Sequence, residues 1–144
     1  MIALDTNILA RFYVDDPGDP EATEQRPVAY EVIAKSPSLF VPLTVTLELE
    51  WVLRAFYRFD AARVIQVMEH LLGLVNVNVE ESDRVVRALD LLGQGMDFAD
   101  ALHLAGAGHC QALCTFDDGR FARRAQRLHL VPKVIVPSST SESG

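Results

Sequence analysis

Four short segments of this chain carry carboxylates that could do chemistry together. They are Asp5 in Leu-Asp-Thr-Asn, Glu48 in Thr-Leu-Glu-Leu-Glu-Trp, Asp97 and Asp100 in Met-Asp-Phe-Ala-Asp-Ala-Leu, and Asp117 in Thr-Phe-Asp-Asp. Carboxylates gathered within a few ångströms cannot all stay ionised unless a cation compensates them, so a fold that collects these acids calls for a divalent metal. Oxygen-only donors suit Mg2+, with Mn2+ as a substitute, whereas zinc normally recruits His or Cys. Phosphodiester hydrolysis needs a strong nucleophile at neutral pH and relief of the negative charge that builds in the transition state. A carboxylate-held metal supplies both, by activating a water and clamping the reacting oxygens. The residue types therefore point to a metal-dependent phosphodiester nuclease.

Each acid also has a plain structural reading. Glu48 and Glu50 are two apart and project about 200° from each other on a helix, so they cannot serve one site. Glu50 has Arg54 four residues on, the favourable order for a surface ion pair, which explains it without a ligand role. Glu48 borders the apolar Leu49 and Val52 and has no such partner, which makes it the ligand candidate. Asp97 and Asp100 are three apart and share a helical face, yet an N-cap Asp and a first-turn acid are favoured by the helix terminus alone. His103 follows Asp100 by three and reads as a satisfied helix histidine. Arg120, Arg123, Arg124 and Arg127 could meet nucleic-acid phosphates, although a solvated helical face is the default for such a run. Cys110 and Cys114 are too few for a disulfide framework and lack further ligands for zinc, so they are expected to be buried free thiols.

Composition narrows the classes. At 144 residues and 49% hydrophobic content the chain suits one globular domain burying about two-thirds of its unfolded surface. Thirteen basic against 20 acidic residues give a formal charge of -7, which argues against a binder that works by broad phosphate neutralisation. Any polyanionic substrate must be held locally, by metal and a few basic side chains. No apolar run approaches the ~20 residues of a membrane span, and Met-Ile-Ala-Leu-Asp does not read as a targeting segment, so no membrane is expected and a cytoplasmic location is.

Elements that would position the acids alternate in type. Strands are expected at Ile2 to Leu4, Ser38 to Val41, Leu74 to Val77, Ala112 to Thr115 and Val134 to Val136. Helices are expected after Asp5, capped by Thr6 or Asn7, then from about Glu21 to Ala34, Val45 to Phe59, Ala61 to Leu72, and Phe98 to Ala107. In the third of these Leu49, Val52, Leu53 and Phe56 form one apolar stripe. Asn78 with Glu81 resembles a capping box for a further helix reaching Leu92, and Gly93 and Gly95 break the chain after it. A basic helix containing Arg120 to Arg127 precedes the last strand. Strands separated by helices imply an α/β fold with a central parallel sheet of about five strands covered on both faces. Ligand sites in such sheets lie beyond the carboxyl ends of the strands, where Asp5 and Asp117 fall by topology.

Taken in order, Leu-Asp-Thr-Asn-Ile-Leu at 4 to 9, Leu-Glu-Leu-Glu-Trp-Val-Leu at 47 to 53, Asp-Phe-Ala-Asp-Ala-Leu at 97 to 102 and Thr-Phe-Asp at 115 to 117 resemble the ordered motifs of PIN-domain ribonucleases, specifically VapC-type toxins of type II toxin-antitoxin modules. The resemblance implies a three-layer α/β/α PIN-like nuclease domain over residues 1–137, followed by a flexible tail at 138–144. It implies an endoribonuclease in which Asp5, Glu48, Asp100 and Asp117 are catalytic Mg2+ ligands hydrolysing RNA through metal-activated water. Asp97 matches an accessory acidic position, Asn7 the position that orients the first Asp, and Thr115 the hydroxyl near the last one. Expected partners are an RNA substrate, a cognate VapB-like antitoxin and a second copy in a homodimer. Two features depart from the pattern: Glu50 adds an acid to the second motif, and Asp118 doubles the fourth.

Two other classes fit less well. A receiver-like Mg2+-binding phosphoacceptor domain would need paired acids after the first strand, an acceptor Asp after the third and a Lys after the fifth. Here Asp5 stands alone, the third strand leads to Asn76 and Asn78, and Lys133 precedes the last strand. A catalytically inactive PIN-like interaction module has no need of the intact acid set.

Overall fold

The structure, a computed structural model, describes residues 1–139; the expected tail lies, from residue 140 on, outside the described residues. The chain divides into two compact units, Met1–Val85 and Val86–Gly144.

In the first unit the elements run β1 (Ile2–Ala3), α1 (Thr6–Tyr13), α2 (Pro20–Lys35), β2 (Leu39–Val41), α3 (Leu43–Trp51), a π-helical turn (Val52–Phe56), α4 (Ala61–Gly73) and β3 (Val77–Val79). The strands form a parallel sheet in the order β1-β2-β3, with Ile2 opposite Leu39 and Leu39 opposite Val77. Leu39 and Val41 are fully buried on one face of the central strand while Phe40 points the other way. The Leu4 amide extends the β1 pairing by donating to Phe40 O at 2.9 Å, so the chain leaves the sheet at its carboxyl edge with Asp5 next. Asp5 itself, not Thr6 or Asn7, caps α1: its carboxylate accepts from the Thr6 amide at 2.7 Å.

Helix α3 starts after Pro42, which offers no side-chain cap. Glu80, just beyond β3, takes that role from 37 residues away, its carboxylate accepting from the Leu43 amide at 2.8 Å. The carboxylate also meets the positive end of the helix dipole. The single helix expected from Val45 to Phe59 is instead α3 followed by the π turn, in which the Tyr57 amide donates to Val52 O at 3.1 Å. Leu49 and Leu53 keep their buried stripe, but Phe56 leaves it and is exposed.

The third strand lies two to three residues later than expected. Leu74 to Asn76 form a turn because Asn76 Nδ2 donates to Ile33 O and Ser36 O, both at 2.9 Å, which ties this segment to the end of α2. Asn78 is consequently a strand residue opposite Phe40 and not a cap, and the next helix, α5, begins at Ser82 and runs to Gly93 across the boundary of the units.

The second unit continues with α6 (Phe98–Gly106), β4 (Ala112–Cys114), a second π-helical turn (Asp118–Ala122), α7 (Arg123–Arg127) and β5 (Lys133–Ile135). Strands β4 and β5 pair in parallel, Leu113 opposite Val134. Among the described residues five strands are present and all their pairings are parallel, but the expected single sheet of about five is hydrogen-bonded instead as a sheet of three and a sheet of two. Cys110 and Cys114 are exposed, contrary to expectation: Cys110 lies in the turn after α6, and Cys114 ends a strand that is only half-buried.

Candidate active site

In the first unit the acids Asp5 and Glu48 are joined through one residue. Asp5 follows β1 and caps α1; Thr6, the first residue of α1, is 6% exposed and its hydroxyl donates a short hydrogen bond to Glu48 Oε1. The backbone amide of Thr6 thus holds one carboxylate while its side chain holds the other. The i+3 and i+4 periodicity of α3 decides which glutamate reaches this point. Glu50 falls on the same side as the buried Thr46, Leu49 and Leu53, and only Glu48 faces out.

The expected surface pair of Glu50 and Arg54 exists, but it is not a surface pair. Arg54 Nε donates to Glu50 Oε2 at 2.7 Å while the glutamate side chain is only 3% exposed. Its role is structural, and larger than an exposed pair would have.

Asp5 and Glu48 open into a cleft of about 450 Å3 whose wall includes Asn7, Arg11, Trp51, Phe56 and Tyr57. Arg11 is engaged there: Nε donates to Gln25 Oε1 at 2.9 Å, Nη1 donates to the Tyr57 hydroxyl at 3.3 Å, and Asp19 and Glu21 lie 3.7 and 3.8 Å from Nη2.

In the second unit Asp100 feels the charges of Asp97 and Asp117. Asp97 caps α6, accepting from the Asp100 amide at 3.2 Å. Asp100 is held above the ordinary carboxylate value of 3.8, first by partial burial and then by the negative charges of Asp97 and Asp117. The charge of His103, three residues on along α6, works in the opposite direction. The capping reading of Asp97 is thus realised.

Thr115 lies one residue past β4 and its hydroxyl accepts from the Asp117 amide at 3.0 Å. Asp117 in turn caps the second π turn, accepting from the amides of Arg120 and Phe121 at 2.9 and 3.3 Å. These bonds fix the fourth acidic segment. Asp118 is turned to Arg123, 3.0 Å away, which accounts for the doubled acid without a ligand role. Arg124 lies over Gly95, whose φ of +97° favours glycine; a Cβ there would stand 3.1 Å from Arg124 Nη1.

Within either unit, among the described residues, no three His, Cys, Asp or Glu side chains are gathered closely enough to hold a metal by themselves. The candidate donors are carboxylates, the chemistry Mg2+ selects, and the burial and, second to it, the neighbouring negative charges that raise Asp100 are what a bound cation would offset.

Three features were not singled out from sequence. Thr6 was read only as a cap, although a hydroxyl next to Asp5 was available to bind a second acid. Phe56 is expected on the apolar stripe and Trp51 stands only as part of the second motif, and Glu80 carries no signal for capping a helix 37 residues away.

The family model for the PIN domain matches residues 2–127. The chain belongs to the PIN-domain family. The matched span contains Asp5, Glu48, Asp97, Asp100 and Asp117 and ends with α7, before β5. As a PIN-domain protein the chain is of a nuclease kind. Among solved structures it is similar to VapC20 of Mycobacterium tuberculosis, described as a sarcin-ricin loop cleaving toxin, at 19% identity and a TM-score of 0.40, over 78% of this chain and 86% of that one. No curated protein matches the sequence. No helix among the described residues is long and apolar enough to cross a membrane.

Proposed function

We propose that this PIN-domain protein is a Mg2+-dependent endoribonuclease of the VapC type, the toxin of a toxin-antitoxin pair acting in the cytoplasm. The observation that carries the reading is the Asp5–Thr6–Glu48 arrangement at the carboxyl edge of the parallel sheet, in a chain whose PIN match also spans the acids of α6 and the β4 loop. Asp5, Glu48, Asp100 and Asp117 are the proposed ligands, with Asp97 accessory and Mn2+ a workable substitute. When bound, the metal supplies charge neutralisation at the phosphodiester and lowers the pKa of water.

The chain's own residues do the positioning. Thr6 fixes the rotamer of Glu48, and Thr115 orders the backbone at Asp117. Asn7, on the cleft wall beside Asp5, is proposed to orient that carboxylate. A net charge of -7 leaves little general attraction for RNA, so substrate retention falls to the site. A cognate VapB-like antitoxin and a homodimeric state belong to the same reading.

Cleavage of single-stranded RNA by the purified protein tests it. Mg2+ or Mn2+ is expected to support cleavage and EDTA to stop it, with Asp5→Ala, Glu48→Gln and Asp100→Asn each removing most activity. A second readout is thermal: a metal that binds only the folded state adds about 2.7 kcal/mol at a hundredfold excess over Kd. RNA cleavage by Asp5→Ala at the wild-type rate, or a melting curve unmoved by Mn2+ at matched ionic strength, refutes the assignment.

A further inference from the structure

The cleft that holds Asp5 and Glu48 has an aromatic side that metal chemistry leaves unexplained. Trp51 is 56% exposed and Phe56 68% exposed, and both line this cleft. Trp51 lies one turn beyond Glu48 on α3, so the indole and the carboxylate share a helix face. Phe56 arrives there because of the π turn. With α-helical winding at about 100° per residue, Phe56 would fall in line with Leu49 and Leu53 and be buried. A π turn uses more residues per revolution, so each advances less; Phe56 stops short of the apolar stripe and falls back toward the line of Glu48. Its ring is braced edge-on by Tyr57, with centroids 4.9 Å apart at 78°. Tyr57 is itself held by Arg11.

We infer that Trp51 and Phe56 form a stacking platform for an unpaired nucleobase of the RNA substrate, beside the carboxylates of Asp5 and Glu48. The inference rests on the ribonuclease reading and adds a positioning role for two residues that no metal ligand set includes. Single-stranded RNA presents unstacked bases, and aromatic faces are the surfaces that proteins use to hold them. The surroundings favour a base over an apolar peptide. The platform is rimmed by Asp19 beside the proposed ligands Asp5 and Glu48; Asp19 can accept from an amino group on a base edge, whereas an apolar side chain would only desolvate these acids.

Trp51 is the sole tryptophan of the chain, so its emission reports the platform directly. The Glu48→Gln protein, expected to cut slowly, is titrated in Mg2+ with a short single-stranded oligoribonucleotide, its base-paired duplex, and copies with one base at a time replaced by an abasic site. Quenching by the single strand, its loss at one abasic position and none from the duplex are expected.

In cleavage assays Trp51→Ala and Phe56→Ala should raise KM about 5- to 150-fold with little change in kcat. Trp51→Phe should restore most of the affinity, and Trp51→Leu, apolar but not planar, should not. Quenching indifferent to every abasic substitution overturns the platform, as does a wild-type KM in Trp51→Leu. So does a Trp51→Ala variant altered only in oligomeric state or in antitoxin binding, which would make this face a protein-docking surface. Wild-type cleavage of the same oligonucleotide is measured in parallel: cutting without base-dependent quenching removes the platform alone, whereas absence of both removes the ribonuclease reading.

Discussion

Thr6→Val isolates the link between the two acids of the first unit. Valine keeps the β-branched shape at a position only 6% exposed and removes the hydroxyl that donates to Glu48. A hydrogen bond to a charged acceptor is worth roughly 1.5–3 kcal/mol, but Glu48 is exposed and water can replace the lost donor, so a net stability loss of about 1 kcal/mol is expected. That corresponds to a fall in Tm of about 2–4 °C for a chain of this size. The functional effect should be larger. Without its donor Glu48 regains rotamer freedom, and loss of a partner that orients a ligand typically costs about 10–100-fold in metal affinity or activity. The assay is kcat/KM for RNA cleavage across a Mg2+ titration, with urea unfolding in parallel. Thr6→Ser, which keeps the hydroxyl, should retain most activity. A Thr6→Val protein that matches wild type in both Mg2+ dependence and rate would refute a positioning role for this hydroxyl.

Three further outcomes follow from the same geometry. Glu50→Gln keeps an acceptor for Arg54 but removes a charge that is 3% exposed, so it should cost about 1–2 kcal/mol in denaturant unfolding while leaving kcat unchanged; equal loss of activity and no loss of stability would make Glu50 a ligand after all. Burial and, second to it, the charges of Asp97 and Asp117 make Asp100 bind its proton more tightly folded than unfolded, so without metal the wild type should lose stability as pH rises from 3.8 through the raised folded value; Asp100→Asn, free of this, should be the more stable protein at neutral pH, with the advantage vanishing below that window, and a variant less stable than wild type at neutral pH in EDTA would contradict this account. If the proposed antitoxin inhibits at the site, an acidic cleft in a chain of charge -7 favours a segment that folds on binding and sets an Arg against the carboxylates, in competition with the proposed metal. Inhibition should then weaken as Mg2+ rises and be lost when that Arg is neutralised, and a complex leaving the cleft open would exclude the mechanism.

The sequence by itself determined the fold class and supplied the candidate acids that it carries. Acids in order, apolar runs separated by helical periodicity, and the choice of Glu48 over Glu50 all depend on the backbone repeat and on neighbours within one turn, which a linear reading contains. Features set by distant partners were not legible. Asn76 moves β3 by bonding the end of α2, Glu80 caps α3 across 37 residues, and Thr6 meets Glu48 across 42. Each is a hydrogen bond whose partner is chosen by chain crossing, not by spacing. Burial misled for a related reason. Glu50 turned inward because its helix phase places it with Leu49 and Leu53, Cys114 stayed exposed because its strand ends there, and Phe56 turned outward because one π-helical hydrogen bond changed the winding. Periodicity assigns a side chain to a face of its own element, but only the packed chain decides whether that face meets protein or water.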